Sequence, residues 1–135
     1  MDVRRRYEGT QDLLKIVGTD GCYVLCLLSI AEEVLDKPLD LIDSIHALIV
    51  NKAIGTDMYV FDAVQALQVL TGREVTMSRE ASLGYVAPNQ YTVAKYYNDR
   101  TRYTHFRRRT YDTLDHSITV AEGGLVEYYV FEVKE

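Results

Sequence analysis

Apolar positions crowd the stretch that follows Gly21. From Cys22 to Leu35, in Cys22-Tyr23-Val24-Leu25-Cys26-Leu27-Leu28-Ser29-Ile30-Ala31-Glu32-Glu33-Val34-Leu35, they run nearly all round a helix. A helix of that kind is buried on most sides. Asp40 reads as the N-cap of a second helix, with Leu41, Ile42, Ile45, Leu48 and Ile49 on one stripe. Asp57 or Thr56 reads as the cap of a third, carrying Val60, Phe61, Val64, Leu67 and Leu70 and stopped by Gly72.

After Gly72 the period changes. Glu74-Val75-Thr76-Met77-Ser78 alternates as a strand does, and Ala81 to Gln90, with Gly84 and Pro88, reads as loop. Thr92 to Asn98 fits a short helix or a strand equally well. Thr104 to Tyr111 has β-propensity and opens a run of strands: Ser117 to Val120, a turn at Glu122-Gly123-Gly124, then Leu125 to Val133. Helices first and antiparallel strands afterwards predict an α+β fold, with the helices packed on one side of the sheet. No linker, repeat or low-complexity tract interrupts the 135 residues, so one domain spanning 1–135 is expected.

Composition adds limits. With 47% hydrophobic and 26% charged residues the chain is globular in type rather than disordered. Arg4-Arg5-Arg6 is followed by no apolar signal-peptide core, and the longest apolar stretch, Cys22 to Leu28, is far too short to cross a membrane. Cys22 and Cys26, four apart on a helix, share a face but are poorly placed for a disulfide. With no further cysteine and no nearby histidine they make no zinc site, and free thiols suit a reducing cytoplasm. No phosphate loop, dinucleotide fingerprint or metal motif is present, so no cofactor is expected.

The net charge of −5 argues against nucleic acid as a partner, yet the charge is uneven. Between Lys95 and Arg109 six basic residues (Lys95, Arg100, Arg102, Arg107, Arg108, Arg109) face one acid, Asp99. That segment carries +5 and leaves −10 elsewhere. It reads either as a solvated face balanced by acidic neighbours or as a surface for an anionic partner, with Arg107 and Arg109 as candidate contacts.

Cys22 stands where a nucleophile would. It follows Gly21 at the start of the buried helix, where unpaired amide N–H groups carry partial positive charge and favour a thiolate. The same groups suit an oxyanion formed during acyl transfer. Cys26, one turn deeper, is expected to be buried and inert. A thiol nucleophile needs a base on another element. His46 lies at the polar edge of the second helix and His116 in a turn, both expected to be solvated. His105, in Thr104-His105-Phe106 at the start of a strand, is the candidate base.

Gly21-Cys22-Tyr23 opening an apolar helix, then Thr104-His105-Phe106, then the segment from Tyr111-Asp112-Thr113-Leu114-Asp115 to Val120, recur in the order seen in a known group. The chain resembles the small papain-like cysteine peptidases related to bacteriocin-processing (double-glycine) peptidases. It is closest to an uncharacterised bacterial and phage branch of them, over about Gly18 to Val133. The resemblance implies a papain-like fold with Cys22 as nucleophile and His105 as general base and acid. It implies Asp112, or secondarily Asp115, as the group that orients the imidazole. Gln11 would be the second oxyanion donor, although its spacing from Cys22 is longer than usual in such enzymes. Thr113 stands where the family has Pro, and Arg107-Arg108-Arg109 replaces an apolar continuation of the histidine strand. Tyr23 stands where many relatives carry a smaller or polar residue.

The implied activity is hydrolysis of an amide, in a peptide, protein or isopeptide substrate. The alternative is a catalytically inactive papain-like binding module of phage or mobile-element origin, working through the Lys95–Arg109 basic segment. A cell-wall amide hydrolase is a third reading, disfavoured by the absence of the Asp-Cys-Ser pattern around the cysteine.

Overall fold

The computed structural model describes residues 21–108 and 124–135. Among them are three helices and a four-stranded antiparallel sheet, an α+β arrangement: α1 (Cys22–Leu35), α2 (Leu41–Val50), α3 (Ala63–Thr71), β1 (Val75–Glu80), β2 (Gln90–Asn98), β3 (Tyr103–Arg108) and β4 (Gly124–Val133). The chain divides into two compact units, one ending at Val75 and rejoined by Val133–Glu135, the other Thr76–Glu132.

In the helical unit α1 packs against α3, and α3 against α2. The near-continuous apolar surface of α1 is accounted for: Val24, Cys26, Leu27, Leu28, Ile30 and Ala31 are all buried. So is Glu32, whose Oε2 accepts from Leu39 N at 2.9 Å. The helix stops at Asp36, which takes a left-handed conformation (φ 52°) and donates its N–H to Glu32 O. Pro38 follows, as is common just past a helix end. Glu32 thus holds both ends of the tight α1–α2 connection, through its carbonyl on one side and its carboxylate on the other.

α2 and α3 begin in the same way. Asp40 Oδ1 accepts from Asp43 N at 2.9 Å, and Asp62 Oδ1 from Gln65 N at 3.0 Å. Each satisfies an amide that the helix itself leaves unpaired. The third helix therefore starts at Ala63, later than Asp57 or Thr56 would put it, and Val60 and Phe61 lie outside it. The cause is a competing set of backbone bonds. Gly55 N donates to Tyr59 O at 2.8 Å and Phe61 N to Ala53 O at 2.9 Å, while Ile54 and Val60 form an antiparallel bridge. The stop at Gly72 is as expected: φ is 68°, and its N–H reaches Gln68 O at 2.8 Å.

In the sheet unit the strand order is β1-β4-β2-β3. β2 runs antiparallel to β3, with Tyr96 opposite His105, and antiparallel to β4, with Val93 opposite Tyr129. A register shift between Lys95 and Tyr96 marks an irregularity against β4. The stretch that read equally as helix or strand is thus a central strand, with Val93, Ala94 and Tyr96 buried. Alternation separates two faces. One carries Ala94, Tyr96 and Tyr128, with Leu83 from the β1–β2 loop packed on them. The other carries Phe106 stacked on Tyr129 at 6.2 Å, with the Arg79 guanidinium 5.7 Å from the Tyr129 ring. Arg79 also grips Glu127 with two hydrogen bonds, Nε to Oε1 at 2.9 Å and Nη2 to Oε2 at 2.5 Å. These bonds hold the Glu127 carboxyl below the usual carboxylate range against the opposing effect of desolvation.

Removing either cap, as Asp40→Ala or Asp62→Ala, is expected to cost about 1 kcal/mol of stability in urea denaturation. The Arg79–Glu127 pair makes a pH-dependent contribution. Because the folded carboxyl has the lowered pKa, its stabilisation is complete above the unfolded value of about 4.3 and disappears as pH falls through the folded one. Arg79→Met should therefore lower the unfolding midpoint slightly at neutral pH, since the guanidinium is largely solvated. Its midpoint should converge on that of the unaltered protein in acid.

Candidate functional site

Cys22 is the first residue of α1 and is half-buried. Its N-cap is Gly21, so no cap side chain takes the first-turn N–H groups, and no acidic residue lies in that turn. The helix is nonetheless started by backbone bonding, with Leu25 N donating to Gly21 O at 2.8 Å. Cys26 lies one turn on and is 6% exposed. Neither cysteine is in a disulfide. Tyr23 is half-buried rather than a fully enclosed core aromatic. The start of α1 therefore offers a partly accessible sulfur at a helix start whose N-cap residue has no side chain and whose first turn holds no acid.

His105 sits in β3, directly opposite Tyr96 of β2. The pairing puts it on the sheet face of Ala94, Tyr96 and Tyr128, and it is half-buried. Cys22 belongs to the helical unit and His105 to the sheet unit. Gln11, Arg109, Asp112, Asp115 and His116 lie outside the described residues. His46 is exposed on α2.

The described basic residues of the segment do not form one continuous surface. Strand alternation sends Arg107 to the face of His105, while Lys95 and Arg108 go to the opposite one. There the Arg108 guanidinium lies 5.9 Å from the Tyr91 ring. Arg107 and Arg108 are both half-buried. Arg100 and Arg102 are exposed at the tip of the β2–β3 hairpin, whose turn is held by Asn98 Oδ1 accepting from Arg100 N at 2.9 Å and from Thr101 N at 3.3 Å. Arg102 takes a left-handed conformation there (φ 56°).

A cavity of about 350 Å³ is lined by Ser29, Glu32, Glu33, Asp36, Lys37 and Pro38. It lies along the C-terminal half of α1 and just beyond, its lining beginning about 10 Å along the helix from Cys22. Among the described residues no group of three or more His, Cys, Asp or Glu is placed to hold a metal ion. No helix among them is long and apolar enough to cross a membrane. No protein-family model, curated protein or solved structure matches the chain.

Two features escaped the reading of the sequence. The Arg79–Glu127–Tyr129 cluster joins residues 48 apart, for which local patterning offers no signal. Tyr59 and Phe61 are 65% and 63% exposed, although Phe61 had been expected on the apolar face of a helix. Gly55-Thr56-Asp57, ahead of them, is a combination that suits a turn as well as a helix cap.

The difference in exposure between the two thiols generates a direct test. Brief treatment with iodoacetamide, followed by peptide mass spectrometry, is expected to modify Cys22 well before Cys26. Equal labelling would remove Cys22 as the accessible sulfur.

Proposed function

We propose that the chain is a papain-like cysteine hydrolase acting on an amide bond of a peptide, protein or isopeptide substrate. The observation that carries this reading is the position of Cys22, half-buried at the first residue of a helix whose N-cap is glycine. His105, held on a strand rather than in a loop, is the proposed base, and Asp112, or else Asp115, the residue that orients it. The order of the Gly-Cys, His-Phe and Tyr-Asp motifs supports the same assignment.

In this mechanism His105 takes the Cys22 thiol proton, the resulting thiolate attacks the carbonyl carbon, and the carbonyl π electrons move to oxygen. Amide N–H groups at the start of α1 receive the resulting oxyanion. Collapse of the tetrahedral adduct breaks the C–N bond as His105 passes a proton to the departing amine, leaving a thioester on Cys22. Water, deprotonated by His105, then attacks the thioester. It releases the carboxylic acid product and returns the thiol.

A second reading is a non-catalytic module of the same fold that binds an anionic partner. It is favoured by the exposed Arg100 and Arg102 at the hairpin tip and by Arg107 beside His105. The two readings separate cleanly by mutation. Hydrolysis predicts that Cys22→Ala and His105→Ala each lower turnover of a peptide-amide library by at least about a hundredfold, with folding unchanged. Binding alone predicts that Cys22→Ala keeps full partner affinity, while Arg100→Glu with Arg102→Glu weakens it most at low salt.

A further inference from the structure

The loop between α2 and α3 carries chemistry that the cysteine–histidine reading does not use. Tyr59 and Phe61 present most of their ring surface to solvent, yet the two rings meet edge to face, with centroids 5.4 Å apart and planes at 62°. The backbone, rather than burial, holds them there. Beyond the Ile54–Val60 bridge, Asp62 N also donates to Ala53 O at 3.1 Å, and Met58 N to Gly55 O at 3.0 Å. Met58 is buried and left-handed (φ 69°), a conformation that is unfavourable for any residue with a Cβ and that the surrounding bonds maintain. The rings are thus displayed on a pinned loop, and little order would be lost on binding.

A carboxylate belongs to the same spot. Asp57 Oδ1 accepts from Tyr59 N at 3.1 Å, which fixes its direction. A Cβ at Gly55 would lie 2.8 Å from that oxygen and 3.2 Å from the Phe61 ring, so ring edge and carboxylate converge on a space that glycine leaves open. The surroundings share the sign of charge. From 21 to 75 there are eight acids (Glu32, Glu33, Asp36, Asp40, Asp43, Asp57, Asp62, Glu74) against Lys37, Lys52 and Arg73. Lys52 is the one cation of the loop, against Asp57 and Asp62.

We propose that Asp57, Tyr59 and Phe61 form a binding site for a cationic side chain, a lysine or arginine carried by a basic peptide segment of a partner protein. Ring faces attract a cation through their quadrupole, and a neighbouring carboxylate adds direct charge. The acidic unit steers a basic partner toward the loop and repels acidic ones. The site does not depend on whether Cys22 is catalytic.

The test uses the full chain carrying Cys22→Ala, so that any hydrolysis of the probe is silent. Ring-proton NMR signals of Tyr59 and Phe61 are followed during titration with a lysine-rich peptide, with its fully lysine-acetylated form, and with protein dilution alone. Saturable shifts of both rings are expected with the lysine peptide, weakening as salt rises and disappearing with the acetylated form. Tyr59→Leu and Phe61→Leu keep apolar area but lose the ring face. Each should weaken binding roughly fivefold or more, as should Asp57→Asn, at an unchanged unfolding midpoint. The proposal is overturned if the acetylated peptide binds equally well, or if the leucine variants bind as tightly, since the loop is then an apolar contact. Absence of a saturable shift overturns it too, and so do ring shifts that follow protein concentration without peptide, which would mean that a second copy covers the loop.

Discussion

A helix cannot satisfy its own first amide N–H groups, and much of what is distinctive in this chain follows from how each helix meets that constraint. α2 and α3 meet it with aspartate side chains, Asp40 and Asp62, each accepting from the third residue on. α1 starts instead at Gly21, with no cap side chain and no acid in its first turn. The same rule therefore yields two helix starts capped by aspartates and one whose N-cap is a glycine. That third start is where Cys22 stands. The functional proposal rests on the half-buried position of Cys22 at that start, because a fully buried cysteine such as Cys26 is ordinary in a helical core.

Backbone competition shapes the rest of the helical unit. Between α2 and α3 the chain has enough apolar residues to extend the third helix backwards, but Ala53 O takes the amides of both Phe61 and Asp62. Those bonds turn a potential helical face outward and leave Tyr59 and Phe61 in solvent. Gly55 permits the turn, since a side chain there would collide with Asp57 and Phe61. An exposed aromatic pair on so closely bonded a loop costs hydrophobic stabilisation that burial would otherwise supply.

In the sheet unit the decisive interactions are cross-strand. Phe106, Tyr129, Arg79 and Glu127 come from three strands and meet on one face, where the guanidinium both caps a ring and fixes a carboxylate. His105 faces the other way, with Tyr96 and Ala94. The alternation that places it also divides the basic residues, so that Arg107 accompanies His105 and Arg108 does not. A run of arginines in sequence is thereby two different environments in space.

The sequence by itself determined the helix boundaries wherever local signals agreed. Apolar spacing with Asp40 at the front and Gly72 at the back located α2 and the end of α3, because capping and left-handed stops are decided within a few residues. It also determined the α+β class and singled out Cys22 at a helix start. Tertiary structure decided what local signals leave balanced. Thr92–Asn98 is a strand because β3 and β4 flank it, and a central strand buried on both faces loses the alternation by which strands are read. Asp62 rather than Asp57 caps α3 because Ala53, nine residues earlier, claims the intervening amides. The order β1-β4-β2-β3 and the pairing of Arg79 with Glu127 join residues far apart in the chain, and only packing, acting across that distance, could select them.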